Sequence, residues 1–155
     1  MCLRTIAAVA VLALLPGVAL AASKPPPAAI LDPIDRVIHA ANTDDTAALG
    51  GLFSGDAIVV DENPPFIWRG AAAGSSWWRV VRSVTQRAKI RHLMATNIKL
   101  GEFAQSATGA YLVQSLTVTG FIGSKPFAES GTMTYTLREA GGRWLITSMV
   151  WTTKP

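Results

Sequence analysis

The segment from Gly131 to Thr153, GTMTYTLREAGGRWLITSMVWTT, constrains this chain more than any other. Met133, Tyr135 and Leu137 alternate with Thr132, Thr134 and Thr136. Gly141-Gly142 follows, and Arg143 to Trp151 is a second run rich in β-branched and aromatic residues. Period-two alternation on both sides of a glycine turn predicts an antiparallel hairpin. No proline interrupts either run, so both strands can lie inside a sheet. The rest of the chain must then cover one face of that sheet.

The N-terminal end carries a different signal. Arg4 precedes an apolar run, Ile6 to Leu15, broken by Pro16-Gly17 and followed by Ala19-Leu20-Ala21. This pattern predicts a secretory signal over residues 1–21, with an apolar run too short to cross a bilayer. The expectation is an exported protein, periplasmic or secreted, with no membrane partner after cleavage. Cleavage also removes Cys2, the only cysteine, so disulfide and thiolate chemistry are excluded from the mature chain. Roughly 130 residues remain, enough for one domain with its own core. Loss of Arg4 lowers the formal charge from +4 to +3. That is too little for a dedicated nucleic-acid binder, and no such partner is expected.

Residues 22–29, with Lys24-Pro25-Pro26-Pro27, read as a proline-rich tether, and 30–155 as the domain. Asp32-Pro33 reads as the opening of a first helix, whose apolar face is Ile30, Ile34, Val37, Ile38 and Ala41. Ala47 to Phe53 reads as a short second helix, weakened by Gly50-Gly51. Ala57 to Asp61 and Phe66 to Arg69 form a short hairpin, and Ala71 to about Thr85 a third helix with Trp77, Val80, Val81 and Val84 on one stripe. Long strands follow at Ile90 to about Glu102, Tyr111 to Ile122, Phe127 to Glu139, and Arg143 to Thr153. Helices segregated from an antiparallel sheet make an α+β domain. Strands of this length twist and curl, so the expected form is a cone: a curved antiparallel sheet with three N-terminal helices on its concave face and a pocket inside.

This order, with Asp56-Ala57-Ile58-Val59-Val60-Asp61, Trp68-Arg69-Gly70 before the third helix, and Gly141-Gly142-Arg143-Trp144-Leu145-Ile146 near the end, resembles the nuclear transport factor 2-like superfamily. The SnoaL-like and ketosteroid-isomerase-like branch is the most similar. The resemblance runs from about Ile30 to Thr153. It implies an aspartate base at the end of the first short strand, where Asp61 stands. It implies a pocket tryptophan on the last strand, matched by Trp151, and a supporting aromatic pair on the third helix, matched by Trp77-Trp78. Tyr111 and Met149 are wall positions by the same likeness. The two oxyanion-donor positions read Val37 and about Thr134. Dienolate stabilisation needs strong donors aimed at the developing charge, and valine supplies none, so steroid isomerisation of that kind is not expected.

The residues themselves leave alternatives. Asp61 follows three apolar residues and suits a general base if it faces the pocket; otherwise it opens a solvated Asp61-Glu62-Asn63-Pro64 turn. His92 alternates in step with Ile90, Met94, Ile98 and Leu100. It is either a dyad partner for Asp61 or a hydrogen-bonded interior or interface histidine. His39, four residues from Asp35, reads as that aspartate's solvated partner. Trp77 fits the core stripe, and Trp78 and Trp151 fit the pocket wall. Trp144 has the opposite parity from Trp151 and is expected on the far side of the sheet. Arg79, Arg82, Arg87, Lys89 and Arg91 read as a solvated flank. Two distant histidines without cysteine make no metal site, and with no phosphate-cradling glycine loop no cofactor is expected.

The expected function is therefore an exported domain binding a small, largely apolar molecule. Its chemistry would be cofactor-free acid/base work of the isomerase, dehydratase or cyclase type, with Asp61 and His92 catalytic and Val37, Trp78, Tyr111, Thr134, Met149 and Trp151 around the ligand. A homodimer through the open sheet face is expected. The alternative is a non-catalytic dimerisation or interaction module of the same fold.

Overall fold

The computed structural model describes residues 25–154; the predicted signal segment lies outside the described residues. Helix α1 occupies Ala28–Thr43 and takes up the last two residues of the predicted tether. It starts ahead of the expected Asp32 cap: Pro27 is the N-cap, and its carbonyl accepts from Ile30 N at 2.9 Å. Pro33 lies within the helix. Its missing N–H forfeits one helical bond, while its ring joins the buried stripe Ile30, Pro33, Ile34, Val37 and Ala40.

The expected second helix is only a 3-10 turn, Ala47–Leu49. Asp45 Oδ1 accepts from the backbone of Ala47 and Ala48, but Gly51 takes φ +72° directly afterwards and the chain turns into a strand. Among the described residues there are thus two α-helices rather than three. Leu52 and Phe53 are buried as expected, but Phe53 already belongs to strand β1, Phe53–Val60. Strand β2 is Ile67–Arg69 and helix α2 is Ala73–Arg87. The long strands are β3 (Ile90–Gln105), β4 (Gly109–Ile122), β5 (Lys125–Ala140) and β6 (Arg143–Thr153).

The six strands form one curved sheet in the order β2-β1-β6-β5-β4-β3. It is mixed, not purely antiparallel: β1 runs parallel to β6, with Val59 beside Met149 and Val60 beside Val150. The predicted hairpin is present, with Met133 opposite Trp151 and Tyr135 opposite Met149. Strand β3 forms one edge and carries three register shifts against β4. Such bulges bend an exposed edge and make it a poor template for further pairing.

Helix α1 contacts β6 and β3, and α2 contacts β1, β2 and β3. Each helix therefore bridges across the sheet, with β5 and β4 passing beneath. At the closest approach, a Cβ on Gly74 of α2 would lie 2.0 Å from the Phe53 ring, so only glycine lets the helix sit this near β1. The core between the layers includes Ile34, Leu49, Val59, Leu112, Tyr135, Ile146 and Met149, each 1% exposed or less.

Candidate functional site

Between the bridging helices and the middle strands lies a pocket of about 200 Å³. Val37 and Ile38 reach it from α1, and Trp77, Trp78, Val81 and Val84 from α2. Leu116 and Val118 of β4, Phe127, Met133 and Tyr135 of β5, and Trp151 of β6 complete most of the apolar wall. Its ionisable carboxyl groups are Asp61, Glu62 and Glu129, and none of its lining residues is basic.

Asp61 sits one residue beyond β1 and is 7% exposed. Its Oδ1 accepts from Asn63 N at 2.9 Å and Asn63 Nδ2 at 2.7 Å. Its Oδ2 accepts from Trp77 Nε1 at 2.9 Å. The first contacts are those of a turn-closing aspartate, the third that of a positioned pocket group. A carboxylate oxygen has room for two acceptor contacts, so Oδ1 is filled and Oδ2 keeps one free position.

A second acidic feature adjoins it. Thr153 Oγ1 lies 2.5 Å from Glu62 Oε2 and 3.1 Å from Glu129 Oε1. Threonine has one hydroxyl proton, and the two carboxyls share it. Burial, and next the charge of Glu62, push Glu129 above the ordinary carboxyl range, with the Thr153 contact opposing. Glu62 and Glu129 thus meet at one hydroxyl beside Asp61.

The tryptophans are individually fixed. Trp78 Nε1 donates to Asp44 Oδ1 at 3.3 Å, and the same oxygen pairs with Arg82 Nε at 2.6 Å. The Trp151 ring crosses β5 where Gly131 leaves space: a Cβ there would lie 2.4 Å from the indole and 2.6 Å from Thr152 O. At the other wall, Asn42 ties α1 to β3 through both amide atoms, with Nδ2 3.1 Å from Ala95 O and Oδ1 2.7 Å from Ala95 N.

Of the predicted site residues, Asp61, Val37, Trp78 and Trp151 meet at this pocket. Met149 is 1% exposed and belongs to the core behind it. His92 does not meet Asp61. It is exposed, adopts φ +52° within the first bulge of β3, and packs edge-on against Phe121 at 6.4 Å. The bulge breaks the alternation that placed it with Ile90. Tyr111 is 42% exposed, off the pocket. Thr134 is the outward neighbour of Met133 and Tyr135, which take the inward positions. Trp144 packs against the core, not away from it, because a register shift between Thr136 and Leu137 resets the parity of β6. Among the described residues His39 makes no ion pair with Asp35.

Trp77, a core-stripe residue by spacing and half of a supporting pair by family likeness, also holds Asp61. Two further contributors have no signal in the sequence reading. Glu129 and Tyr135 lie in the strand read only for its alternation. Tyr135 is 1% exposed and lines the pocket. Burial, then the charge of Asp35, holds its phenol well above the usual range, so the hydroxyl remains a donor. The basic run is partly absorbed locally, as Arg82 pairs with Asp44 and Arg91 Nη2 donates to Gly123 O at 2.6 Å. Among the described residues no cluster of possible metal ligands occurs.

Comparison with known proteins gives a consistent fold. The sequence model of the SnoaL-like domain matches residues 27–150. A ketosteroid isomerase-like protein from Erwinia carotovora atroseptica SCRI1043 is similar in structure at 16% identity, with 83% of this chain and 96% of that chain covered and a TM-score of 0.67. Hexachlorocyclohexane dehydrochlorinase LinA-type3 from Novosphingobium barchaimii LL02 is similar at 15% identity, with 83% and 86% covered and a TM-score of 0.66. A protein assigned as a scytalone dehydratase from Novosphingobium aromaticivorans DSM 12444 is similar at 17% identity, with 83% of each chain covered and a TM-score of 0.62. No match is found among curated proteins.

Proposed function

We propose, from the premise that the chain belongs to the SnoaL-like domain family within the nuclear transport factor 2-like superfamily, that it binds a small, largely apolar molecule and performs cofactor-free proton transfer on it. The observation that carries this reading is the free acceptor position of Asp61 Oδ2 at an apolar, tryptophan-walled pocket. Asp61 would take a proton from a carbon acid, and Glu129, whose carboxyl burial holds above the ordinary range, would give one to an oxygen or leaving group. A positioned base and a separate acid suit isomerisation or elimination. The names of structurally similar proteins, an isomerase-like protein, a dehydrochlorinase and one assigned as a dehydratase, belong to that range, although identities of this level speak for fold alone.

The cone form of the fold belongs to the same reading, supported by two helices bridging a curved sheet. Export is supported by the signal pattern over residues 1–21. Homodimerisation through the outer sheet face is supported by Tyr111 and Phe121, 42% and 43% exposed, among threonines and serines of β4.

Thermal-shift titration against a panel of neutral apolar compounds tests the binding step. Stabilisation by at least one compound, lost when Leu116→Trp fills the pocket, is the expected result. A stabilising compound that binds the filled variant equally well would remove the pocket from the account.

A further inference from the structure

We infer that the end of the molecule formed by the α2–β3 turn and the β4–β5 turn docks on an anionic lipid surface, with Ile122 and Met94 entering the interface and Arg87, Lys89, Arg91 and Lys125 meeting the headgroups. This goes beyond the proposed chemistry and does not depend on it. It reverses the expectation of no membrane partner for the mature chain. The docking is peripheral, since no described helix is long and apolar enough to cross a membrane.

The register assembles this end from distant stretches of chain. Lys125 lies opposite Ile122, and Ile122 opposite Ile90, so the three form one row about 10 Å wide at strand spacing. Lys89 precedes Ile90 and takes φ +56°, and Arg87 closes α2 just before it. Arg91 reaches across the row, its Nη2 donating to Gly123 O at 2.6 Å. Lys89, Ile90, Arg91 and Ile122 line a shallow groove here. All four cations are exposed, and none forms an ion pair among the described residues. No carboxylate occurs in residues 84–94 or 119–128. Asp44, at the end of α1 where Asn42 joins Ala95 of β3, is already paired with Arg82.

A helix C-terminus attracts cations, but that accounts for Arg87 alone, because Lys125 stands on a different turn. Like charges gathered without a counter-charge repel one another, and an anionic surface removes that cost. The apolar part points the same way. Ile122 is 47% and Met94 44% exposed. Ile122 has the parity of Leu116 and Val118, which line the pocket, whereas Phe121 faces the other side of the sheet. Met94 and Ile90 line the pocket as well, and Ile90 also lines the groove, so the pocket reaches the surface at this end. Its carboxyls lie further in: Glu129 is four residues beyond Lys125 on β5, about 13 Å at strand spacing. Exposed apolar side chains among cations, at the mouth of an apolar pocket, fit anionic headgroups over acyl chains. A nucleic acid or acidic protein would match the charge and leave Ile122 and Met94 without a role.

Vesicle co-sedimentation tests this. The protein used lacks residues 1–21, whose apolar run would itself bind lipid; the fold described lies wholly within residues 25–154. Wild type should bind vesicles of phosphatidylcholine with phosphatidylglycerol, should not bind phosphatidylcholine alone, and should bind more weakly as salt is added. Lys89→Gln/Lys125→Gln should lose about thirtyfold, at about fivefold for each cation. Lys99→Gln/Arg143→Gln, the same charge change away from this end, should stay within about twofold of wild type, since charges beyond a Debye length are screened. Ile122→Ser/Met94→Ser should lose about tenfold or more through lost apolar burial. Ile122→Trp should gain fluorescence that brominated lipid quenches. Absence of binding to the anionic vesicles, equal binding to neutral ones, or an equal loss in the remote double variant would overturn the inference. So would full binding by Ile122→Ser/Met94→Ser, the mark of a contact made by charge alone, or an unquenched indole in Ile122→Trp.

Discussion

The indole of Trp77 donates to Asp61 Oδ2 at 2.9 Å, joining α2 to the end of β1 across 16 residues of chain. The bond gives a buried carboxylate its orientation. Trp77→Phe keeps most of the apolar volume and removes the donor. The expected cost is about 1–3 kcal/mol, the range for leaving a buried polar group short of a partner, read as a lower urea midpoint with an unchanged m-value. A midpoint equal to wild type would mean that the bond contributes nothing to positioning Asp61.

Glu129 makes stability depend on pH. Its carboxyl holds a proton more tightly folded than unfolded, because of burial and then Glu62. From the ordinary value of 4.5 up to the raised folded value, the native state binds more protons than the unfolded one. Stability therefore falls as pH rises through that window and stays lower above it. Glu129→Gln should shrink the loss of stability between pH 4 and pH 8, measured by urea denaturation at both. An identical loss in the variant would exclude this carboxyl as its source.

Gly131 is a packing position. Its φ is not in the left-handed region, but a Cβ would meet both the Trp151 indole and the Thr152 backbone. Gly131→Ala should destabilise by about 1–3 kcal/mol, as overpacking does. It should also shift the Trp151 ring, visible as a change in near-ultraviolet circular dichroism. Wild-type stability together with an unchanged spectrum would show that the site tolerates a methyl group.

His92 serves as a negative control. It is exposed and away from the pocket lining, so His92→Ala should leave ligand affinity and its pH profile unchanged. A variant that loses binding would restore the dyad with Asp61 that the strand pattern suggested.

The hairpin of β5 and β6, the strand sequence from Ile90 onward and the apolar stripe of α1 were legible because periodic burial writes itself into sequence. What failed were places where periodicity is interrupted. Bulges around His92 and before Leu137 reset which residues face inward, and nothing in the local composition marks them. Gly50-Gly51 was noticed, yet only the structure shows that the turn before it never becomes an α-helix. Val37, Trp78 and Trp151 were placed at the pocket by likeness to a family, and the same likeness misplaced Tyr111 and Thr134 because it cannot resolve strand parity. The Glu62–Thr153–Glu129 contacts bring together residues 91 and 24 positions apart, and no short motif encodes such a meeting.

The central claim is that Asp61 is a base facing a bound carbon acid. The most direct measurement is deuterium incorporation at the carbon beside the carbonyl of 1-tetralone in heavy water, followed by NMR with wild type and Asp61→Asn. The account predicts exchange well above the buffer rate with wild type and a fall of about 100-fold or more in Asp61→Asn, the scale of general-base catalysis. Exchange at the buffer rate with wild type, or at the wild-type rate in a folded Asp61→Asn, would contradict it.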